Sequence, residues 1–286
     1  MKILITGGAG YIGSKLSIAL VEKGHDVQIF DKPQNIVNKL EVDQAMKGKD
    51  ICYHLAALAE IAYTDAHPQE TFEVNIVGTN NIASACAKNN VLLNFTSTSC
   101  IYGDPLEYPS REEGLINPSD TYAMSKASGE YLVKMWGLAE GLKYNILRFG
   151  TVYGQSTDKE MRGDMAIQIF LDKAIKREVV TIKGDGQQSR NFIHIDDLVA
   201  GLVAVTEKGV KMETINLAGK ESISINDIMS YVLMLGASGV KYAPERKDDF
   251  RYQNVYLGKA KKLLDWEPKV RFEDGIKSMY DWLKVQ

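Results

Sequence analysis

A chain of 286 residues with 45% hydrophobic and 25% charged residues has the ordinary make-up of a folded protein, and its length suits one large or two moderate domains. The net charge of -3 and pI near 5.9 give no basic face for nucleic acid, and no apolar run approaches the roughly 20 residues that cross a bilayer, so neither nucleic acid nor a membrane is expected as a partner. Cys52, Cys86 and Cys100 are odd in number and widely spaced, which indicates no disulfide framework and no metal site. Met1-Lys2 runs straight into a strand pattern with no apolar leader, and a cytoplasmic location is expected.

Residues 2–6, Lys-Ile-Leu-Ile-Thr, read as a short buried strand, and Gly7-Gly-Ala-Gly-Tyr-Ile-Gly13 turns it into a helical pattern reaching residue 23. Gly24-His-Asp26 breaks the helix, and residues 27–30 form a second strand that ends in Asp31. This is a βαβ unit with a glycine loop at its first turn. Glycines there let the backbone approach a pyrophosphate, which amide groups and the positive end of the helix stabilise. Asp31 stands where a carboxylate accepts hydrogen bonds from an adenosine ribose and repels a 2′-phosphate. NAD is expected, with Gly7, Gly10, Tyr11, Ile12, Gly13, Asp31 and the adjoining Lys32 around it.

The spacing after Asp31 is short. Only Lys32, Pro33 and Gln34 precede Asn35-Ile36, which reads as a strand end, and a helix over 40–47 leads to the next strand at 50–55. A parallel crossover takes a dozen or more residues. The third strand and the helix before it are therefore expected to be missing or vestigial. The adenine pocket should be more open on that side, with Asn35 and Ile36 on one wall and Leu55, Ala56 and Ala57 on the other.

A loop to Pro68 precedes a long helical pattern over 69–88 that carries Asn75 and Gly78-Thr79. The strand at 91–95 delivers Thr96, Ser97, Thr98 and Ser99 to its carboxyl end, where ligands of open parallel sheets collect. Small hydroxyl residues usually serve turns and caps; at this edge they read as functional. Pro105, Pro109 and Pro118 punctuate a loop over 103–120. The helix at 121–141 carries Tyr122 and Lys126 one turn apart, with Cβ atoms roughly 5–6 Å from each other. An ammonium near a phenol favours its ionised form, and Thr98 completes a group able to move a proton on a substrate alcohol. The same spacing also occurs where tyrosine merely packs and lysine is solvated.

The strand at 144–149 ends in Phe149, and the βα alternation is interrupted from Gly150. Further on come a helix at 165–177, a strand at 179–182, a turn at Gly184-Asp-Gly186, and Arg190-Asn-Phe-Ile-His-Ile-Asp-Asp197 leading into a helix to residue 207. A strand at 213–217 and helices at 225–235 and 272–283 complete the chain. The fold class is α/β: a doubly wound parallel sheet of the Rossmann type with a smaller C-terminal α/β domain. Residues 1–154 are read as the NAD-binding domain, with 194–218 packing back on it, and 155–286 as the substrate-binding domain.

The glycine loop, Asp31, Asn75-Ile-Val-Gly-Thr79, Thr98, Tyr122-x-x-x-Lys126 and Arg190-Asn-Phe-Ile-His-Ile-Asp-Asp197, in that order, resemble the extended short-chain dehydrogenase/reductase family. The closest branch in pattern is its NAD-dependent nucleotide-sugar epimerase/dehydratase group, of the UDP-glucose 4-epimerase kind, and the likeness reaches Asp265-Trp-Glu-Pro268. The resemblance implies that Tyr122 is the general base, that Lys126 holds the nicotinamide ribose and lowers the tyrosine's pKa, and that Thr98 bonds the reacting sugar oxygen. It implies that Asn75, Ser97 and Phe149 line the cofactor cleft, that Ser99 and Thr151 meet the substrate, and that Arg190 and Arg246 neutralise its diphosphate. Guanidinium suits that role through its bidentate geometry. His54 and His194 read as packing or capping residues.

Relatives that dehydrate or decarboxylate carry Asp-Glu or Ser-Glu directly after the catalytic hydroxyl, and here Ser99-Cys100 stands there. Epimerisation at C4 of a UDP-sugar through a transient keto intermediate is therefore favoured over dehydratase or decarboxylase chemistry. A reductase of the same family and, from another class, a non-catalytic dinucleotide-binding sensor remain as alternatives. Thr151 replaces a frequent asparagine, which leaves sugar and nucleotide open, and Asn35 replaces a usual aspartate, which points to a weaker or exchangeable cofactor. A homodimer through the helices at 69–88 and 121–141 is expected from family analogy alone.

Overall fold

A strand that is apolar on both faces is stable only inside a sheet covered from both sides, and β1 (Lys2–Thr6) is such a strand. The chain is described by a computed structural model over residues 1–105, 107–157, 165–245 and 250–285. Because strand side chains alternate, Ile3 and Ile5 of β1 join one core with Leu16 and Leu20 of α1 (Tyr11–Glu22), while Leu4 joins the other. Each such fully buried aliphatic side chain stabilises the fold by about 1.5–3 kcal/mol.

The order continues with β2 (Asp26–Phe30), α2 (Lys39–Met46), β3 (Ile51–His54), α3 (Ile61–Ala66), α4 (Pro68–Thr71), α5 (Gly78–Asn89), β4 (Leu92–Thr98), α6 (Thr121–Glu140) and β5 (Tyr144–Phe149). Then come β6 (Thr151–Tyr153), α7 (Met165–Ile175), β7 (Val179–Lys183), β8 (Ser189–Arg190), β9 (Phe192–His194), α8 (Ile195–Lys208) and β10 (Glu213–Leu217). The last elements are β11 (Ile223–Ser224), α9 (Ile225–Met234), β12 (Gly239–Ala243), α10 (Gly258–Leu264) and α11 (Phe272–Lys284).

Six of these strands form one parallel sheet in the order β10-β5-β4-β3-β1-β2. The chain moves outward from β1 in both directions, so a crevice opens above the carboxyl ends of β1 and β3. Helices α1, α8 and α10 cover one face; α2, α5 and α6 cover the other. A third cluster, with Ile167, Leu171, Val180, Ile182, Ile228, Val232 and Ile276, gathers α7, β7, α9 and α11. There β12 pairs parallel with β7, β11 antiparallel with β8, and β6 parallel with β9.

Among the described residues β2 is the edge of the sheet, and no third strand lies beyond it. What holds the short connection at residues 31–38 is a local clasp. Ile36 packs so close to Gly78 that a Cβ there would lie 2.6 Å from its Cδ1, and the Asn81 side-chain amide donates to the carbonyls of Ile36 (3.1 Å) and Val37 (3.0 Å). Asn38 then caps α2 by accepting the Leu40 N–H at 3.1 Å.

Two expectations about the next stretch are corrected. The loop before Pro68 contains α3, and the helix expected over 69–88 is divided by a π-helical turn, Phe72–Val77, between α4 and α5. Strand β12 and helix α10 carry no strong periodicity and were not expected either.

Candidate active site

Glycines shape the first wall of the crevice. Gly7 has φ +70°, and a Cβ on it would stand 2.7 Å from the Ala56 nitrogen; one on Gly13 would stand 2.2 Å from the Gly7 carbonyl oxygen. Only hydrogen fits at either place. Helix α1 begins behind Gly10 with no side-chain cap and no acidic residue in its first turn, so its leading N–H groups face the crevice without protein charge against them. The Asp31 carboxylate accepts the Ala9 N–H at 2.9 Å and the Lys32 N–H at 2.8 Å, fixing the glycine loop to the end of β2. Tyr11 reaches across and donates to the Gly154 carbonyl at 2.9 Å. A loop that a side chain would fill, an uncapped helix start and a carboxylate at the second strand's tip together fit a dinucleotide.

The cleft that these residues open has a volume of about 1940 Å³. Gly7, Gly10, Tyr11, Ile12, Gly13, Asp31, Lys32, Asn35 and Ile36 line it on one side, and Leu55, Ala56, Ala57, Ser97 and Phe149 along its floor. Thr98, Tyr122, Thr151 and Arg190 line it further along.

Helix α6 brings Tyr122 and Lys126 to the cleft. Asp120 caps it by accepting the Ala123 N–H at 2.7 Å, and Gly129 lets it lie close on β4, since a Cβ there would be 2.5 Å from the Phe95 ring. Lys126 is thereby buried, and its Nζ donates to the Thr96 carbonyl at 2.9 Å, 5.2 Å from the centre of the Phe95 ring. Burial lowers its pKa from the ordinary 10.5 to about 8. Thr98 accepts the Cys100 N–H at 3.2 Å, which leaves its own hydroxyl proton for the hydrogen bond it makes with the Tyr122 phenol. The expected lowering of the tyrosine's pKa by Lys126 is not what this structure has. Burial pushes the phenol well above its ordinary value, the electrostatic influence of neighbouring Cys100 and Asp120 adds to the rise, and the Thr98 bond opposes it. The ammonium is drawn away to the Thr96 carbonyl.

Two residues expected in contact with ligands lie elsewhere. Asn75, 2% exposed and on the π-helical turn, is absent from the cleft wall: its Oδ1 accepts the Leu58 N–H at 2.8 Å and its Nδ2 donates to the Leu58 carbonyl and the Ser125 hydroxyl, each at 2.9 Å. It fastens the loop after β3 to α6. Ser99, 1% exposed, is turned away from the cleft by the 3-10 turn Ser99–Tyr102, and its hydroxyl has no partner among the described residues. Ser97 touches the cleft but spends its hydroxyl on Glu130, at 2.7 Å.

That Glu130 belongs to a network the sequence reading missed. Arg148 holds it through two bonds, Nε to Oε1 at 2.9 Å and Nη2 to Oε2 at 2.7 Å, and donates from Nη1 to the Tyr102 hydroxyl (2.8 Å) and the Glu112 carbonyl (2.9 Å). Both partners are at most 3% exposed. Tyr122, Lys126 and Glu130 recur every four residues on α6, so one face of the helix carries all three; that periodicity was the available signal.

Arg190 lies flat on the Phe250 ring at 3.5 Å and donates to the carbonyls of Ser189 and Phe250, each at 2.9 Å. Arg246 falls outside the described residues. His54 bonds the hydroxyls of Thr6 (2.7 Å) and Thr79 (3.0 Å), and burial with the nearby Lys126 charge brings its pKa down to about 3, so it is a neutral packing residue. His194 caps α8, accepting the Asp196 N–H at 3.4 Å.

Residues 3–218 match the NAD dependent epimerase/dehydratase family. UDP-glucuronic acid decarboxylase 1 of Danio rerio is 30% identical over 298 aligned positions, spanning 96% of this chain and 71% of that one. The crystal structure of Thermotoga maritima UDP-glucose 4-epimerase with UDP-glucose superposes with a TM-score of 0.92 at 28% identity, covering 100% of this chain and 99% of that one. UDP-glucuronic acid 4-epimerase of Bacillus cereus, in complex with UDP-glucuronic acid and NAD, gives 0.92 at 29% identity with the same coverage. The chain belongs to the NAD-dependent epimerase/dehydratase family of extended short-chain dehydrogenases/reductases, and its cofactor is NAD.

Proposed function

We propose that the protein is a nucleotide-sugar epimerase that inverts C4 of a UDP-sugar. The observation that carries this reading is the place beside Thr98 and Tyr122: Cys100 lines the cleft there, and no carboxylate follows the hydroxyl. Eliminating water needs a further acid and base at the sugar, whereas inverting one carbinol needs only a single proton acceptor and donor.

Bound NAD supplies the hydride acceptor and donor. The chain's own part is proton handling and orientation. Tyr122 takes the proton of the sugar hydroxyl and gives it back, and Thr98 holds that oxygen in line. Lys126 fixes the nicotinamide ribose from its seat against the Thr96 carbonyl. Residues 1–154 with 194–218 form the cofactor half in this reading, and residues 155–286 the sugar-nucleotide half. Arg190 and Arg246 neutralise the diphosphate, and Thr151 meets the sugar.

Decarboxylation of a UDP-uronate is the second reading, favoured by the Danio rerio relative and disfavoured by Cys100. Incubating NAD-loaded protein with UDP-glucose, UDP-galactose or UDP-glucuronic acid and following the sugar by proton NMR separates these readings. Interconversion of 4-epimers without NADH build-up is expected; carbon dioxide release or stoichiometric cofactor turnover would replace the proposal. We also propose a homodimer through α5 and α6, because Met124, Tyr131, Met135 and Leu138 leave an apolar stripe exposed on α6. Sedimentation at micromolar concentration tests it.

A further inference from the structure

The charges that line the cleft are sorted by wall. Glu60, Asp65, Glu70 and Asp120 line it around the start of α6, where Tyr122 stands, and α3, α4 and α6, which carry or follow them, pack on one another. Lys183 of β7 and Arg190 of β8 line it on the other side. Among the described residues no lysine or arginine of α3, α4 or α6 reaches the cleft wall: Lys126, one turn behind Tyr122, is buried against the Thr96 carbonyl. Three of the acids serve the fold. Asp65 accepts the Thr121 N–H at 3.1 Å, Glu70 accepts the Tyr63 hydroxyl at 2.7 Å, and Asp120 caps α6. Glu60 does not. It stands at the capping position of α3 without making a capping bond, and its exposed side chain has no hydrogen bond or ion pair among the described residues. Its charge is turned to the cleft and to whatever enters it.

We infer that the sugar end of the cleft takes an uncharged hexose and turns away the corresponding uronic acid. This rests on the epimerase reading, in which Thr98 and Tyr122 receive the C4 hydroxyl. A uronic acid carries its carboxylate on C5, the carbon bonded to C4, and so brings an anion to the wall that already holds four. Like charges brought together in this way cost affinity, more so where the cleft excludes water and less so in salt. The hydroxymethyl group that an uncharged hexose carries on C5 has an O–H to donate to the same carboxylates. The diphosphate is common to both sugars. It falls to Arg190 and Lys183 on the facing wall, which therefore do not tell the two apart.

The test uses the NAD-loaded, full-length protein with UDP-glucose and UDP-glucuronic acid, which differ only in the group on C5. Titration calorimetry at low ionic strength should give UDP-glucose the tighter binding by about thirtyfold, equivalent to about 2 kcal/mol. The gap should shrink to about threefold in sodium chloride strong enough to cut the screening length to a few ångströms. Glu60→Gln keeps the side chain's shape and removes its charge, and should reduce the preference about fivefold at low ionic strength. Equal or tighter binding of UDP-glucuronic acid overturns the inference. A preference that neither salt nor Glu60→Gln reduces overturns it as well, because shape rather than charge then makes the choice. Salt-sensitive discrimination in binding, with no 4-epimer formed from either sugar by proton NMR, would instead sink the epimerase reading and leave the selection by charge standing.

Discussion

The seam between α6 and β4 and the wall built from β7, β8 and Phe250 face the same cleft and are made differently. Along the seam, polar groups on regular elements meet at the periods of helix and strand: Tyr122 to Thr98, Lys126 to the Thr96 carbonyl, Glu130 to Ser97. Across the cleft, Arg190 sits on a two-residue strand and is held by a ring face and two carbonyls. Register fixes the first arrangement, so moving one contact moves all of them. The second consists of small pieces that change one at a time. On the epimerase reading proposed above, the seam carries the reaction and the wall holds the substrate.

If that division is right, the largest loss comes from the seam. Tyr122→Phe should lower kcat by about a thousandfold, within the range for a positioned proton donor and acceptor, while NAD binding measured by calorimetry stays unchanged. Glu130→Gln leaves Arg148 charged and under-partnered in a site where both were buried; unfolding in urea should show a loss of about 3–5 kcal/mol. Substituting both residues by methionine should cost less than Glu130→Gln alone.

On the opposite wall, Arg190→Ala should raise KM about tenfold with kcat nearly unchanged, as expected for loss of uniform binding. Arg190→Lys should not rescue it, because an ammonium cannot stack on Phe250 and grip a diphosphate in the same way.

Lys126 offers a pH test of the seam. Its folded pKa, lowered to about 8 by burial, lies below the ordinary 10.5. As pH rises through 8 the folded protein loses this ammonium, and turnover should decline. Between those two values the unfolded chain holds more protons at this position than the folded one, so the lysine's contribution to stability rises with pH while activity falls. Lys126→Met should abolish both trends, read from rate and unfolding midpoint across the same buffers. The smallest effect should come from Ser99→Ala, which removes a buried hydroxyl that has no partner among the described residues: stability within about 0.5 kcal/mol and unchanged kinetics.

What could be read from residue order alone follows how local each feature is. The β1-α1-β2 unit with Asp31 was legible because its parts are consecutive, and the edge position of β2 was legible because three residues cannot make a crossover. Asn75 was misread because its partners, Leu58 and Ser125, lie 17 and 50 residues away and meet it only in space. Ser99 was misread because the strand stops at Thr98, and the 3-10 turn ends the alternation that would have pointed it into the cleft. The Glu130–Arg148 pair escaped notice because Arg148 sits within a strand buried on both faces, where a charge leaves no periodic mark.

The absent methyl at Gly129 has a wider reach than its size suggests. Any branch there would wedge the helix off the Phe95 ring, and phenol, ammonium and carboxylate would travel with it as one rigid comb. Natural variation can therefore resculpt the outward side of that helix, and with it any self-association, without touching turnover. The inward spacing admits no gradual drift: it is kept whole or lost whole.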